Sequence, residues 1–214
     1  MTDPRQPSGI EKVAGSLVTE AVLTVAAALA GGPLAPLLPV LAKSLAGSRQ
    51  QQRVQLALSE VCEELERNEA AVRSLTDEQY KLINESVLAM LQTTQTEKLA
   101  YLRCAVSNAL NVRDMSGQEA IVLSRVIRDI SAEEVAFLLR AFAYEGVLLN
   151  ENIEQSEVLN KVLLVAPSSQ DALSVTGLQS LGLLTPPETG WDSGAMRFTR
   201  LVAKLIALLR KPDA

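Results

Sequence analysis

The chain has 214 residues, no histidine and a formal charge of −5, and aromatic residues make up only 3% of it. The missing histidine removes Ser-His-Asp and Cys-His nucleophile pairs, imidazole zinc sites and imidazole pH switches together. The acidic balance excludes a nucleic-acid-binding coat over the whole surface, because phosphate binding needs a basic face.

A hydrophobic fraction of 48% with 21% charged residues is that of a folded chain. With so few aromatics the core must be aliphatic and carried on helices, so the fold class is all-α, a multi-helix bundle. Mean hydropathy is +0.16, and the apolar excess lies near the N-terminus. Met1–Ser8, with two prolines and no apolar pattern, reads as part of a flexible arm over residues 1–9.

From Ile10 an amphipathic helix begins, with Val13, Leu17, Val18, Val22 and Val25 on one stripe and Glu11, Lys12, Ser16 and Glu20 opposite. No charged residue stands between Glu20 and Lys43. Gly31-Gly32-Pro33 stops the helix, and a second one opens near Pro36, where Pro39 falls in the first turn and loses no hydrogen bond. The unit is an apolar helical hairpin. Val13, Leu17, Val18, Val22, Val25, Leu29, Leu34, Leu37, Leu38 and Leu41 are its candidate contacts with a partner or a membrane. A bilayer span needs roughly 20 apolar residues in unbroken helix. Each half here supplies about ten, half that length, so a buried or interfacial hairpin is expected over a transmembrane helix. Ala28-Leu29-Ala30 has the small-x-small form of a signal-cleavage site, but Glu20 and the lack of a net positive leader argue against secretion.

Past the break at Gly47-Ser48, Val54, Leu58, Val61, Leu65 and Val72 form the stripe of one long helix. Glu60 with Glu64, and Glu63 with Glu66, are carboxylate pairs one turn apart. Without a histidine partner they read as a solvated face and not as a metal or acid-base site. Cys62 and Cys104 read as buried free thiols of a reducing compartment. Four capping boxes follow: Thr76 with Gln79, Thr94 with Glu97, Ser116 with Glu119, and Ser131 with Glu134. Each predicts a helix start, and the helical bundle is expected to run over residues 10–165.

From Gly146 the periodicity weakens. Glu151–Glu157 reads as a loop or a helix start, and Val158–Val165 as a helix end or a strand. Pro167-Ser168-Ser169 marks a linker. Beyond it come a helix over Asp171–Leu181, a stop at Gly182, an extended Leu183-Leu184, a Pro/Gly-rich turn, a returning strand at Met196–Phe198, and a last helix from Thr199 to Leu209.

The order LQSLGLL, Gly-containing hairpin, FTRLVAKLIALL resembles the last helix, wing and closing helix of a winged-helix domain, and defines a module over residues 170–211. In DNA-binding members of that class the helix before the wing enters the major groove. Here Asp171–Gly182 has no Lys or Arg. The candidate basic patch, Arg197, Arg200, Lys204, Arg210 and Lys211, follows the wing instead. Protein docking is therefore expected of the module, with nucleic acid disfavoured. The apolar opening, RQQQRVQLALSEVCEELE, LTDEQYKLINESVL and TEKLAYLRCAVSNAL resemble a group of uncharacterised bacterial helical proteins. More loosely they are similar to the HeLo-type bundles of cell-death and defence effectors, which would imply membrane targeting by Val13–Leu41.

No Gly-rich phosphate loop, paired-Cys site or other catalytic motif stands out, so no cofactor and no enzymatic activity are expected. The expectation is a cytoplasmic protein acting through a protein partner or self-association, in a regulatory or adaptor role such as one in bacterial defence or stress. The alternatives are a membrane-acting effector peripheral to the inner membrane, and a DNA-binding regulator.

Overall fold

A computed structural model describes residues 49–186 and 194–211. The arm, the apolar hairpin with all ten of its candidate contact residues, and the tip of the expected wing lie outside them. By contacts the chain divides into two compact units between Val112 and Arg113.

The described part of the first unit is helical: α1 (Arg49–Arg67), α2 (Glu69–Arg73), α3 (Asp77–Gln92) and α4 (Thr96–Ala109). The predicted stripe of α1 holds as far as Leu65, with Val54, Leu58, Val61 and Leu65 all buried. It does not reach Val72. Asn68 breaks the helix, its Nδ2 donating to the Glu64 carbonyl at 2.8 Å and the Glu64 carboxylate at 3.1 Å. The α2 helix that follows buries nothing. α3 and α4 pack against each other and both against α1. Leu82, Ile83 and Met90 from α3 and Leu102 from α4 are wholly or almost wholly enclosed, each such side chain contributing about 1.5–3 kcal/mol.

Three of the four predicted capping boxes form, at Thr76 with Gln79, Ser116 with Glu119 and Ser131 with Glu134. The fourth does not. The Gln95 N–H donates to Thr93 Oγ1 at 3.2 Å, and Gln95 itself is the N-cap of α4. Lys98, not Glu97, then occupies the third helical position, and an ammonium group accepts no hydrogen bond.

The second unit contains α5 (Gly117–Asp129), α6 (Ala132–Ala141), β1 (Gly146–Leu149), β2 (Glu157–Leu159), β3 (Val162–Val165), α7 (Gln170–Ser180), β4 (Leu184–Thr185), β5 (Arg197–Phe198) and α8 (Arg200–Leu209). The described chain is thus mostly helical, with short strands in small sheets. The unbroken bundle expected to residue 165 gives way at Gly146 to a three-stranded sheet of order β1-β3-β2. α5 and α6 belong with the C-terminal elements: α8 packs on both through Val202, Leu205, Leu208 and Leu209, and α6 packs on α7. At the α6–α7 contact a Cβ at Gly177 would displace the Glu134 carboxylate that closes the α6 capping box. α7 ends at Gly182 (φ 68°), in the left-handed conformation that glycine adopts at little cost. Thr199 is the backbone N-cap of α8, but its buried Oγ1 makes no hydrogen bond, while its N–H donates to the Leu183 carbonyl.

Candidate interaction surface

The sheet begins at Gly146, after a short turn that follows α6. Gly146, Val147, Leu148 and Leu149 are extended and pair in parallel with β3 in the register Gly146↔Val162 to Leu149↔Val165. On its other edge β1 meets the end of the β4–β5 hairpin. Val147 and Met196 exchange hydrogen bonds of 2.9 and 2.7 Å. A Cβ at residue 146 would approach the Met196 carbonyl oxygen to 2.7 Å, so this crossing needs Gly146.

β2 and β3 form a hairpin with only Asn160 and Lys161 between them. Both have positive φ, 49° and 66°, the conformation of a type I′ turn, whose twist matches that of the strands it joins. Lys161 Nζ donates to Glu145 Oε1 at 2.9 Å, and its carbonyl accepts from the Glu145 N–H at 2.8 Å, tying the turn to the start of β1. The Glu145 carboxylate raises the Lys161 pKa, first through that hydrogen bond.

The register and the two-residue period of strands sort the side chains into faces. Val147 and Val165 point to the buried side and are fully enclosed. Gly146, Leu148, Val162, Leu164 and Leu159 share the other side, where they line a groove of about 520 Å³ together with Glu145, Asn160, Ala195 and Arg197. Its floor is aliphatic and its rim carries both signs of charge. The groove runs out at β2, all of whose residues are exposed, Val158 at 49% and Leu159 at 57%. Leu149 adds a further exposed aliphatic side chain at 37%. Among the described residues this small sheet has uncovered apolar surface of the kind that a partner buries.

The five residues of the candidate basic patch are separated by the fold. Arg197 lies on β5 at the groove, and Arg200 opens α8. Arg210 and Lys211 follow the end of that helix, roughly 15 Å further along its axis. Lys204 is engaged, its Nζ donating to Glu119 Oε1 at 2.7 Å and the Asp114 carbonyl at 3.0 Å. Glu119 also accepts from the Ser116 N–H and hydroxyl, and the Lys204 bond is the main reason its pKa falls to about 2. That lysine serves the α5 terminus.

Of the acidic pairs of α1, Glu60 and Glu64 are occupied. Glu60 is salt-bridged to Arg103. Glu64 is paired with Arg67 at 3.0 Å and accepts from Ser107 Oγ at 3.1 Å. Among the described residues no group of acidic, histidine or cysteine side chains has an arrangement that would hold a metal ion, and no helix is long and apolar enough to cross a membrane. Both cysteines are free thiols. Burial pushes the Cys62 pKa up to about 12, helped by Glu66 and Glu63, so this thiol is protonated and a poor nucleophile.

Sequence reasoning did not single out the groove or the β2 edge. The available signal was Asn160-Lys161 between two short aliphatic runs, with asparagine at a position that favours positive φ. No protein-family model matches the chain, and no similar curated protein or solved structure is found.

Proposed function

We propose that the protein is a non-enzymatic interaction module that binds a protein partner through the small sheet of its second unit. The observation that carries this reading is the continuity of the aliphatic groove with Leu159 on the exposed strand β2, whose Val158 is exposed on the opposite face. A surface of this kind is stabilised when covered, at roughly 25 cal/mol per Å² of apolar area. The same reading treats α7, the β4–β5 hairpin and α8 as a winged-helix-like module turned to protein docking. The order of these elements and the antiparallel β4–β5 pairing support it. DNA binding is disfavoured by α7, whose exposed positions Gln170, Leu173, Thr176, Gln179 and Ser180 include no cation, Leu173 being 72% exposed. The free thiols Cys62 and Cys104 support action in a reducing compartment such as the cytoplasm.

Native-size measurement of the tagged protein in extracts of its own cells tests the proposal. Wild type is expected in a complex larger than the chain alone, and Leu159→Glu is expected to release it while leaving the melting temperature unchanged. Wild type running as the free chain, or an equally large complex with Leu159→Glu, would overturn the reading. A second reading, membrane action in the manner of the HeLo-type bundles, is favoured by the uncharged run Ala21–Ala42. If it is right, the full chain sediments with anionic vesicles and a chain beginning at Ser48 does not.

A further inference from the structure

Resting on the interaction reading, we infer that β2 is a site of strand addition, and that its occupant is an extended segment of a partner protein in which basic and aliphatic residues alternate. The first observation is the hairpin geometry. With a two-residue type I′ turn, Leu159 and Val162 form the hydrogen-bonded pair next to the turn, and the pairs alternate from there. Val158↔Leu163 is therefore a non-hydrogen-bonded pair, so the N–H and C=O of Val158 point away from β3. No strand pairs with that edge among the described residues. The edge has no proline or lysine and shows Val158 and Leu159 to solvent; its one charged side chain is Glu157.

The second observation is charge. Between Arg140 and Lys161 the chain has four glutamates and no cation. Arg140 is paired with Asp171, and Lys161 with Glu145. Glu151, Glu154 and Glu157 are exposed, with no ion pair among the described residues. Glu154 is within about 10 Å of Glu157 along the chain. The edge therefore carries local negative charge, which attracts a basic strand and opposes pairing of β2 with β2 of a second copy. In an added strand, lysine stems would lie over Leu159 with their ammonium groups near Glu157 and Glu154, and aliphatic residues would lie beside Val158.

The test is fluorescence anisotropy with the full chain at low salt and three labelled peptides: KVKVKVK, EVEVEVE, and KVKVKVK N-methylated at alternate residues. Binding of the first alone is expected, weakening as salt rises. Val158→Pro removes the outward donor, leaves the β2–β3 ladder intact, and is expected to weaken binding about tenfold. Glu154→Gln with Glu157→Gln should flatten the salt dependence. Equal binding of all three peptides, binding indifferent to Val158→Pro in a protein with unchanged melting, or no binding of KVKVKVK would each overturn the inference. So would sedimentation showing a dimer that Val158→Pro dissociates, which would assign the edge to a second copy. Loss of the strand-addition site leaves the native-complex experiment with Leu159→Glu unaffected, so the two proposals fail separately.

Discussion

Replacing Gly177 by alanine should stabilise the protein only where Glu134 is absent. Alanine in the middle of α7 favours the helix by about 0.8–1.0 kcal/mol over glycine. The new methyl, however, would overlap Glu134 Oε1 and stand 2.8 Å from its Cδ, so the carboxylate has to move. It is not free to do so without loss, because its other oxygen accepts from the Ser131 N–H at 2.6 Å and closes the α6 capping box. Losing that half of the box costs about 1 kcal/mol. The two effects nearly cancel, so Gly177→Ala alone should change stability by less than about 0.5 kcal/mol, within the range of cap and propensity values. In a Glu134→Ala background the obstruction and the bond are already gone, and Gly177→Ala should then stabilise by nearly the full ~0.9 kcal/mol. A double-mutant cycle by urea unfolding measures the difference, a coupling of about 1 kcal/mol. Equal stabilisation in both backgrounds would show that Glu134 does not restrain residue 177. Strong destabilisation in both would show that something other than Glu134 occupies the space.

Gln79 joins two helices: its Oε1 accepts from the Thr76 N–H, and its Nε2 donates to the carbonyls of Leu110 at 3.0 Å and Val112 at 2.9 Å. Gln79→Glu turns that donor into an anion facing two carbonyls. A loss of about 2–3 kcal/mol at neutral pH, partly regained in acid as the carboxyl protonates, is expected from chemical denaturation. Glu119 has a folded-state pKa of about 2, below the ordinary 4.5. Its contribution to stability is complete above pH 4.5 and is lost as pH falls toward 2, so a thermal-melt series across that window should be flatter for Glu119→Gln. Lys161 holds φ at 66° in the hairpin turn. Lys161→Gly should raise stability by up to about 1 kcal/mol in urea titration, less the small value of the exposed Glu145 pair.

What could be read from the sequence was local. A hydroxyl three residues before Glu or Gln fixed three helix starts, because both partners of a capping box lie within one turn. Thr94 with Glu97 fits the same pattern and fails, since the Thr93 hydroxyl already serves Gln95 and moves the start of α4. The α7 helix, its stop at Gly182, and the return through β5 into α8 were likewise marked by glycine, proline and helical spacing. β1 was not, and Val158–Val165 stayed open between a helix end and a strand, because GVLL and VLLV are too short to show a period of two or of 3.6, and their parallel pairing joins residues sixteen apart. For the same reason the second role of Gln79, 31 and 33 residues from its acceptors, and the engagement of Lys204 by Glu119, 85 residues away, have no signature along the chain. The groove inherits this difficulty: Leu148, Leu164 and Leu159 share a side only through the register of three strands.

The central claim, that the sheet of the second unit is where a partner sits, is tested most directly by site-specific photo-cross-linking in the living cell. A benzophenone side chain is placed in turn at Leu159 on β2, at Leu148 in the groove, and at Leu56, a 65% exposed leucine of α1. One discrete adduct shared by residues 159 and 148 and absent from residue 56 is the predicted result. Adducts of the same size from all three positions, or from residue 56 alone, would contradict it.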